Sequence, residues 1–230
     1  MEKDKLKLKI NKWSEMPISV LLQINEINDL HASDEEKTFM VTAILAGMSY
    51  SQFMELPLEE ARYLVSQTGW LTTQPEKKKV KKEYKIGKHT YTLMKDMMGI
   101  STAAYIDYQA LITDGNLKDN IAEMMGIILI PKGCKYNDGY NKDEAIEEIR
   151  DNFNVEEALS VADFFMTAFA KSMRRTIVRL EAELIAEKIL AKKGTEKKEI
   201  LKAMILEMRL LEEEVRRSMS GYNWWNQWPK

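Results

Sequence analysis

Three carboxylates are the first residues whose type and spacing could do chemistry. Glu144, Glu147 and Glu148 lie in DEAIEEIRDNF at spacings that bring at least two of them onto one face of a helix. Paired carboxylates can hold a divalent cation for phosphoryl transfer. Asp96 and Asp107 would complete a nuclease-like set if the fold gathered them. The plainer reading is a solvated acidic helix. Cys134 sits in KGCK, where flanking lysines favour the thiolate, but no histidine is near it in sequence and it reads as a loop thiol. His31 and His89 each stand alone, without a second His or Cys at zinc-ligand spacing, and both read as surface residues. IGKHT lacks the leading glycine of a phosphate-binding loop. NDGYNKDE misplaces its glycine for a calcium loop and has no glutamate at the twelfth position. The expectation is therefore a non-enzyme with no catalytic set, no cofactor and no metal. Metal-dependent nucleic-acid processing at the glutamates is kept as an outlying alternative.

Two basic clusters are of a kind that could contact nucleic acid. KKKVKK, residues 77–82, lies between Glu76 and Glu83 in an acidic half of the chain, and reads as a solvated connector. Arg174, Arg175 and Arg179 form a second cluster, which offset pairing with Glu181 and Glu183 explains. The formal net charge of −2 is too balanced to point to nucleic acid or a membrane surface. Its distribution is uneven, because residues 174–219 carry 12 Lys and Arg against 9 Asp and Glu. That terminal part reads as a module of its own.

The elements that must position these groups are mostly helices. Gly and Pro are scarce, at 10 and 5 residues, which favours long helices over a many-stranded sheet. LKLKI alternates like a short exposed strand. Pro17 opens a helix with Val20, Ile24 and Ile27 on one face, Ser33 or Asp34 caps the next, and Gly47 can end it. A further helix follows Pro57, with Gly69 expected at its C-terminal cap. Two alternating runs around Gly87-Lys88 predict a β-hairpin. Helices resume at STAAYIDYQALI and at NLKDNIAEMMGIILI, the latter closed by Pro131. The expected fold is mainly α: a compact helical domain with a small β-hairpin, followed by a long C-terminal helical hairpin. The parts are a small-helix region at 1–75, a β-hairpin plus helical core at 76–173, and a hairpin with a Trp-rich end at 174–230.

The candidate binding surface lies in that last part. Leu201, Met204, Met208, Leu211 and Val215 follow the three-and-four spacing of a heptad seam. After them, GYNWWNQWPK carries Trp224, Trp225 and Trp228, three of the five tryptophans. Indoles are enriched at binding hot spots and bury roughly 150–250 Å2 each. These eight residues are the expected partner-binding set. The N-terminus has no signal-peptide core, and the longest nearly uncharged apolar run, Met124 to Pro131, is too short to span a bilayer. A single cysteine excludes an internal disulfide.

EYKIGKHTYTLMKDMMGISTAAYIDYQ, residues 83–109, resembles a segment that recurs in proteins of tailed bacteriophages, particularly those of gut Bacteroidetes. The likeness spans roughly residues 14–170, through EEKTFMVTAILAGMSYSQFMELPLEE and NIAEMMGIILIPKGCKY. It implies a morphogenesis protein, similar to tail-assembly chaperones or virion-associated structural proteins. For a chaperone, the implied partner is the long helical tape-measure protein; the alternative is a permanent ring, connector or packaged component, and a homo-oligomer is also open. Its place would be the host cytoplasm during assembly, or the virion.

Overall fold

A computed structural model describes residues 6–94, 100–113, 119–190 and 196–220, with the backbone alone at 113, 186–190, 196–198 and 214–220. Four short helices come first: α1 (Ile18–Asp29), α2 (Asp34–Ala46), α3 (Tyr50–Met54) and α4 (Leu58–Ser66). Local signals set their ends. The Ser33 hydroxyl accepts the Glu36 N–H at 3.2 Å, and Asp34, Glu35 and Glu36 place negative charge at the positive end of the α2 dipole. Gly47 then closes α2 at φ 68°, a conformation that a side chain would resist. Ser49 and Gln52 form a reciprocal capping box on α3. These helices enclose a first core around Trp13, Met16, Ile24, Leu45, Phe53 and Leu64.

The second core lies between a small sheet and the remaining helices. Strand β1 (Glu83–Ile86) pairs antiparallel with β2 (His89–Leu93), and β2 pairs with β3 (Leu129–Pro131). Ile86 faces His89 across a two-residue turn, where Gly87 takes the positive φ of 54° that such a turn needs at its first position. Helices α5 (Thr102–Thr113), α6 (Ile121–Ile128) and α7 (Lys142–Asn152) complete the layer. Tyr108 of α5 stands edge-on to Phe165 and Phe169, with ring centroids 5.0 and 4.9 Å away.

Both cores close on α8 (Val155–Leu190), a continuous helix of 36 residues, about 54 Å long at 1.5 Å per residue. Val155 belongs to the first core, while Phe165, Met166 and Phe169 belong to the second. Helix α9 (Glu196–Ser220) returns antiparallel along α8 and also touches α5. The chain is thus mainly α, with nine helices and one three-stranded antiparallel sheet among the described residues. Among those residues, no helix is long and apolar enough to cross a membrane.

Several expectations need correction. LKLKI forms no strand; its backbone lies over the end of α2, where the N–H groups of Lys9 and Ile10 both donate to the Leu45 carbonyl and Leu8 is buried. Gly69 is not a helix cap, because α4 ends at Ser66 and Gly69 falls inside a 3-10 run, Gln67–Thr72. The helix through IILI stops at Ile128, and Leu129–Pro131 becomes an edge strand that no alternation announced. Pro131 is tolerated there because an edge strand need not donate on its open side. The boundary placed after residue 173 falls inside α8.

Gly126 sets how closely α6 approaches α7. A methyl group there would lie 2.4 Å from Ile146 Cγ1. Gly126→Ala is therefore expected to destabilise the protein by about 1–3 kcal/mol in urea unfolding through overpacking. The same exchange at an open helical position would stabilise by about 1 kcal/mol.

Candidate functional site

Helix α7 begins where Asn141 Oδ1 accepts the N–H groups of Asp143 and Glu144 at 3.0 and 3.4 Å. From that start, Glu144, Glu147, Glu148 and Asp151 follow at i, i+3, i+4 and i+7, so all four share a face. They form one wall of a cleft of about 710 Å3, and Lys88, His89, Cys134 and Tyr140 also line it. The fold has therefore gathered His89, Cys134 and the three glutamates, which the sequence left scattered.

Their bonding is structural, however. Glu148 accepts the Lys88 N–H at 2.7 Å and the Tyr91 hydroxyl at 2.6 Å, and its Oε2 lies 2.6 Å from His89 Nδ1. Burial works against its charge, but the bonds from Tyr91, Lys88 and His89 prevail and hold the carboxyl below its ordinary value of 4.5. Burial, then the Glu148 carboxylate, pushes the Tyr91 hydroxyl up. A methyl on Gly87 would meet Glu148 Oε1 at 2.6 Å, so this glycine serves both the turn and the carboxylate. The side chain of Glu144 accepts from Asn141 at 2.9 Å, and the Cys134 thiol donates to the Gly139 carbonyl at 3.4 Å. Asp107 lies at another contact, where it accepts from Lys142 at 2.6 Å and Tyr136 at 2.5 Å. Among the described residues no group of three or more His, Cys, Asp and Glu is placed to hold a metal ion. Asp96 lies outside the described residues, and His31 is exposed in the α1–α2 connector.

The basic run 77–82 is clasped by α8. Lys77 pairs with Asp163 at 3.0 Å, Lys78 with Glu156 at 3.2 Å, and Lys81 with Glu157 at 2.5 Å. The Lys78 N–H donates to Ser160 Oγ at 2.9 Å. Much of the charge expected to be solvated is thus neutralised within the chain.

The C-terminal hairpin closes on Ile177, Leu180, Leu201 and Ile205, with Leu184 and Met208 beside them. Ion pairs Arg174–Glu212 and Arg209–Glu181 tie the two helices together, and Arg179–Glu183 is the offset pair expected along α8. Of the expected partner-binding set, Leu201 and Leu211 are buried within the chain, Met208 is partly buried, and Met204 is 39% exposed. The side chain of Val215, together with Trp224, Trp225 and Trp228, lies outside the described residues. The heptad therefore marks an internal seam at Leu201, Met208 and Leu211, whose apolar surface is met by α8 and the second core.

A different set remains open. Ile200, Leu206 and Leu210 of α9 are 52, 61 and 56% exposed, and Phe164, Val178 and Ile185 of α8 are exposed as well. None of these six belongs to the heptad seam expected from the spacing of Leu201, Met204, Met208, Leu211 and Val215. The available signal was that both helices carry apolar residues on two opposite faces. Compared with protein-family models, curated proteins and solved structures, the chain shows no match.

The Glu148 bonds carry a pH signature. A carboxyl held below its unfolded value stabilises the fold fully above that value, and the contribution is lost as pH falls through the folded value. Glu148→Ala should cost about 1–3 kcal/mol near neutral pH by orphaning the buried Tyr91 hydroxyl. Unfolding curves should show the gap to wild type narrowing as pH falls below about 4.5. A gap independent of pH would exclude the charged carboxylate as its source.

Proposed function

We propose that this chain is a non-enzymatic assembly protein of a tailed bacteriophage that docks a helical structural protein along its C-terminal hairpin. The observation that carries the reading is the outward stripe of α9. Ile200, Leu206 and Leu210 are exposed while Leu201 and Ile205 of the same helix are buried. Leu206 lies five residues beyond Leu201, about 140° round the helix, so one apolar face cannot account for both. A two-helix arm needs one such face to close. A second face gains its burial from another polypeptide.

The phage setting rests on the likeness of residues 14–170 to morphogenesis proteins. That likeness makes the tape-measure protein the leading partner, since a long helical protein offers repeating apolar faces. Methionine and leucine side chains suit such a partner because they pack without strict register. The three tryptophans of residues 221–230 add aromatic surface to the same part of the chain on sequence grounds.

The test is co-expression with the tape-measure protein of the same phage. Leu206→Glu with Leu210→Glu should lower its recovery about tenfold or more, with unchanged circular dichroism. Undiminished recovery would overturn the reading. Mass spectrometry of purified particles then separates a transient chaperone, absent from them, from a permanent component present in fixed ratio.

A further inference from the structure

The outer face of α8 has a regularity that the core does not require. Starting at Phe164, residues 168, 171, 175, 178, 182 and 185 recur at alternating steps of four and three. That is the seam pattern of a coiled coil, carried through about three heptads. Its occupants are Phe164, Ala168, Lys171, Arg175, Val178, Ala182 and Ile185. Phe164, Val178 and Ile185 are 42, 64 and 56% exposed. The opposite side of the same helix holds Met173, Ile177 and Leu180, all buried in the chain's own clusters. Helix α8 thus carries two seams back to back, one of them unoccupied by any described part of the chain.

The centre of the open seam says what covers it. Lys171 and Arg175 occupy two consecutive seam positions and make no ion pair among the described residues. Their neighbours differ, since Arg174 is held by Glu212 and Arg179 by Glu183. Covering an unpaired cation is costly unless the covering surface supplies the counter-charge. A second copy of this chain has no acidic residue at any of these seam positions. Parallel pairing sets Lys171 against Lys171 and Arg175 against Arg175. Antiparallel pairing, with Phe164 over Ile185, again sets Arg175 against Arg175. The large apolar residues at both ends and the alanines between them suit a close-packed helix.

We infer that this face seats an amphipathic α-helix of another protein, with apolar residues at its ends and Asp or Glu at its two central seam positions. The inference rests on the reading of the hairpin as a docking arm, and it assigns the helix and the chemistry of the partner.

The probe is a synthetic helix of about 22 residues with Leu and Ala at its heptad seam and Glu at the two central seam positions. A control peptide has Lys at those two positions. Fluorescence anisotropy with the full chain should show saturable binding of the Glu peptide, about tenfold tighter than the Lys peptide at low salt. The difference should shrink at about 0.5 M salt. Lys171→Glu with Arg175→Glu should invert the preference, a gain that a misfolded variant would not show. Val178→Glu, at an open position, should abolish binding of the Glu peptide.

Equal affinity for both peptides, or no saturable binding, would overturn the assignment. So would equally tight binding of a short DNA duplex, or dimerisation of the chain through this face in sedimentation. If the peptide fails while Leu206→Glu with Leu210→Glu still blocks capture of the tape-measure protein, the docking-arm reading survives and this assignment alone falls.

Discussion

Val161, Phe165, Phe169 and Met173 line the side of α8 that closes the second core, Val155 and Leu159 at its start close the first, and covering this helix is what both halves of the molecule share. Each large apolar side chain taken fully out of water contributes roughly 1.5–3 kcal/mol, so this strip outweighs any single polar contact in the structure. The N-terminal helices meet α8 through Val155 and Leu159, and the sheet layer meets it through Tyr108 of α5 against Phe165 and Phe169. Because α8 continues past the globular part, the same rod that closes the core also forms the first rail of the hairpin. Rigidity at the arm is therefore inherited from burial at its base.

Polar contacts select geometry within that frame more than they stabilise it. The pairs from Lys77 and Lys81 to α8 are largely exposed on the lysine side, and exposed pairs contribute about 0–1 kcal/mol each, whereas Lys78 reaches the buried Glu156. Their value is in direction: a connector without secondary structure is laid along a helix face at one register. Arg174–Glu212 and Arg209–Glu181 do the same for the hairpin, setting how far α9 slides along α8. Glu148 does more, because it lies against the buried Tyr91 and takes three donors from one hairpin. There a single carboxylate locks the sheet to α7.

The cleft beside Glu148 and the outer faces of the hairpin are different kinds of surface. The cleft gathers reactive residue types, yet Glu148, Glu144 and Cys134 are held by bonds that shape the loop and the turn. The described part of the hairpin holds no histidine or cysteine, and its exposed leucines, isoleucines and valine keep more than half of their surface open. Unmet hydrophobic area is what distinguishes the described hairpin from the cleft.

Local chemistry alone determined the ends of α2 and α3, the turn at Gly87-Lys88 and the mainly helical class. Capping hydroxyls, positive-φ glycines and helical periodicity act within a few residues of themselves. Contacts distant in sequence decided the rest. Leu129–Pro131 is a strand because β2 offers an open edge, and LKLKI is not one because Leu45 offers only a single carbonyl. Lys77, Lys78 and Lys81 are paired because α8 turns its acidic start toward them. The heptad of α9 was legible as a seam, but whether Leu201 or Leu206 faced inward depended on where α8 lay. Periodicity specifies that a helix has a face to bury, and only the packed neighbour specifies which one is already covered.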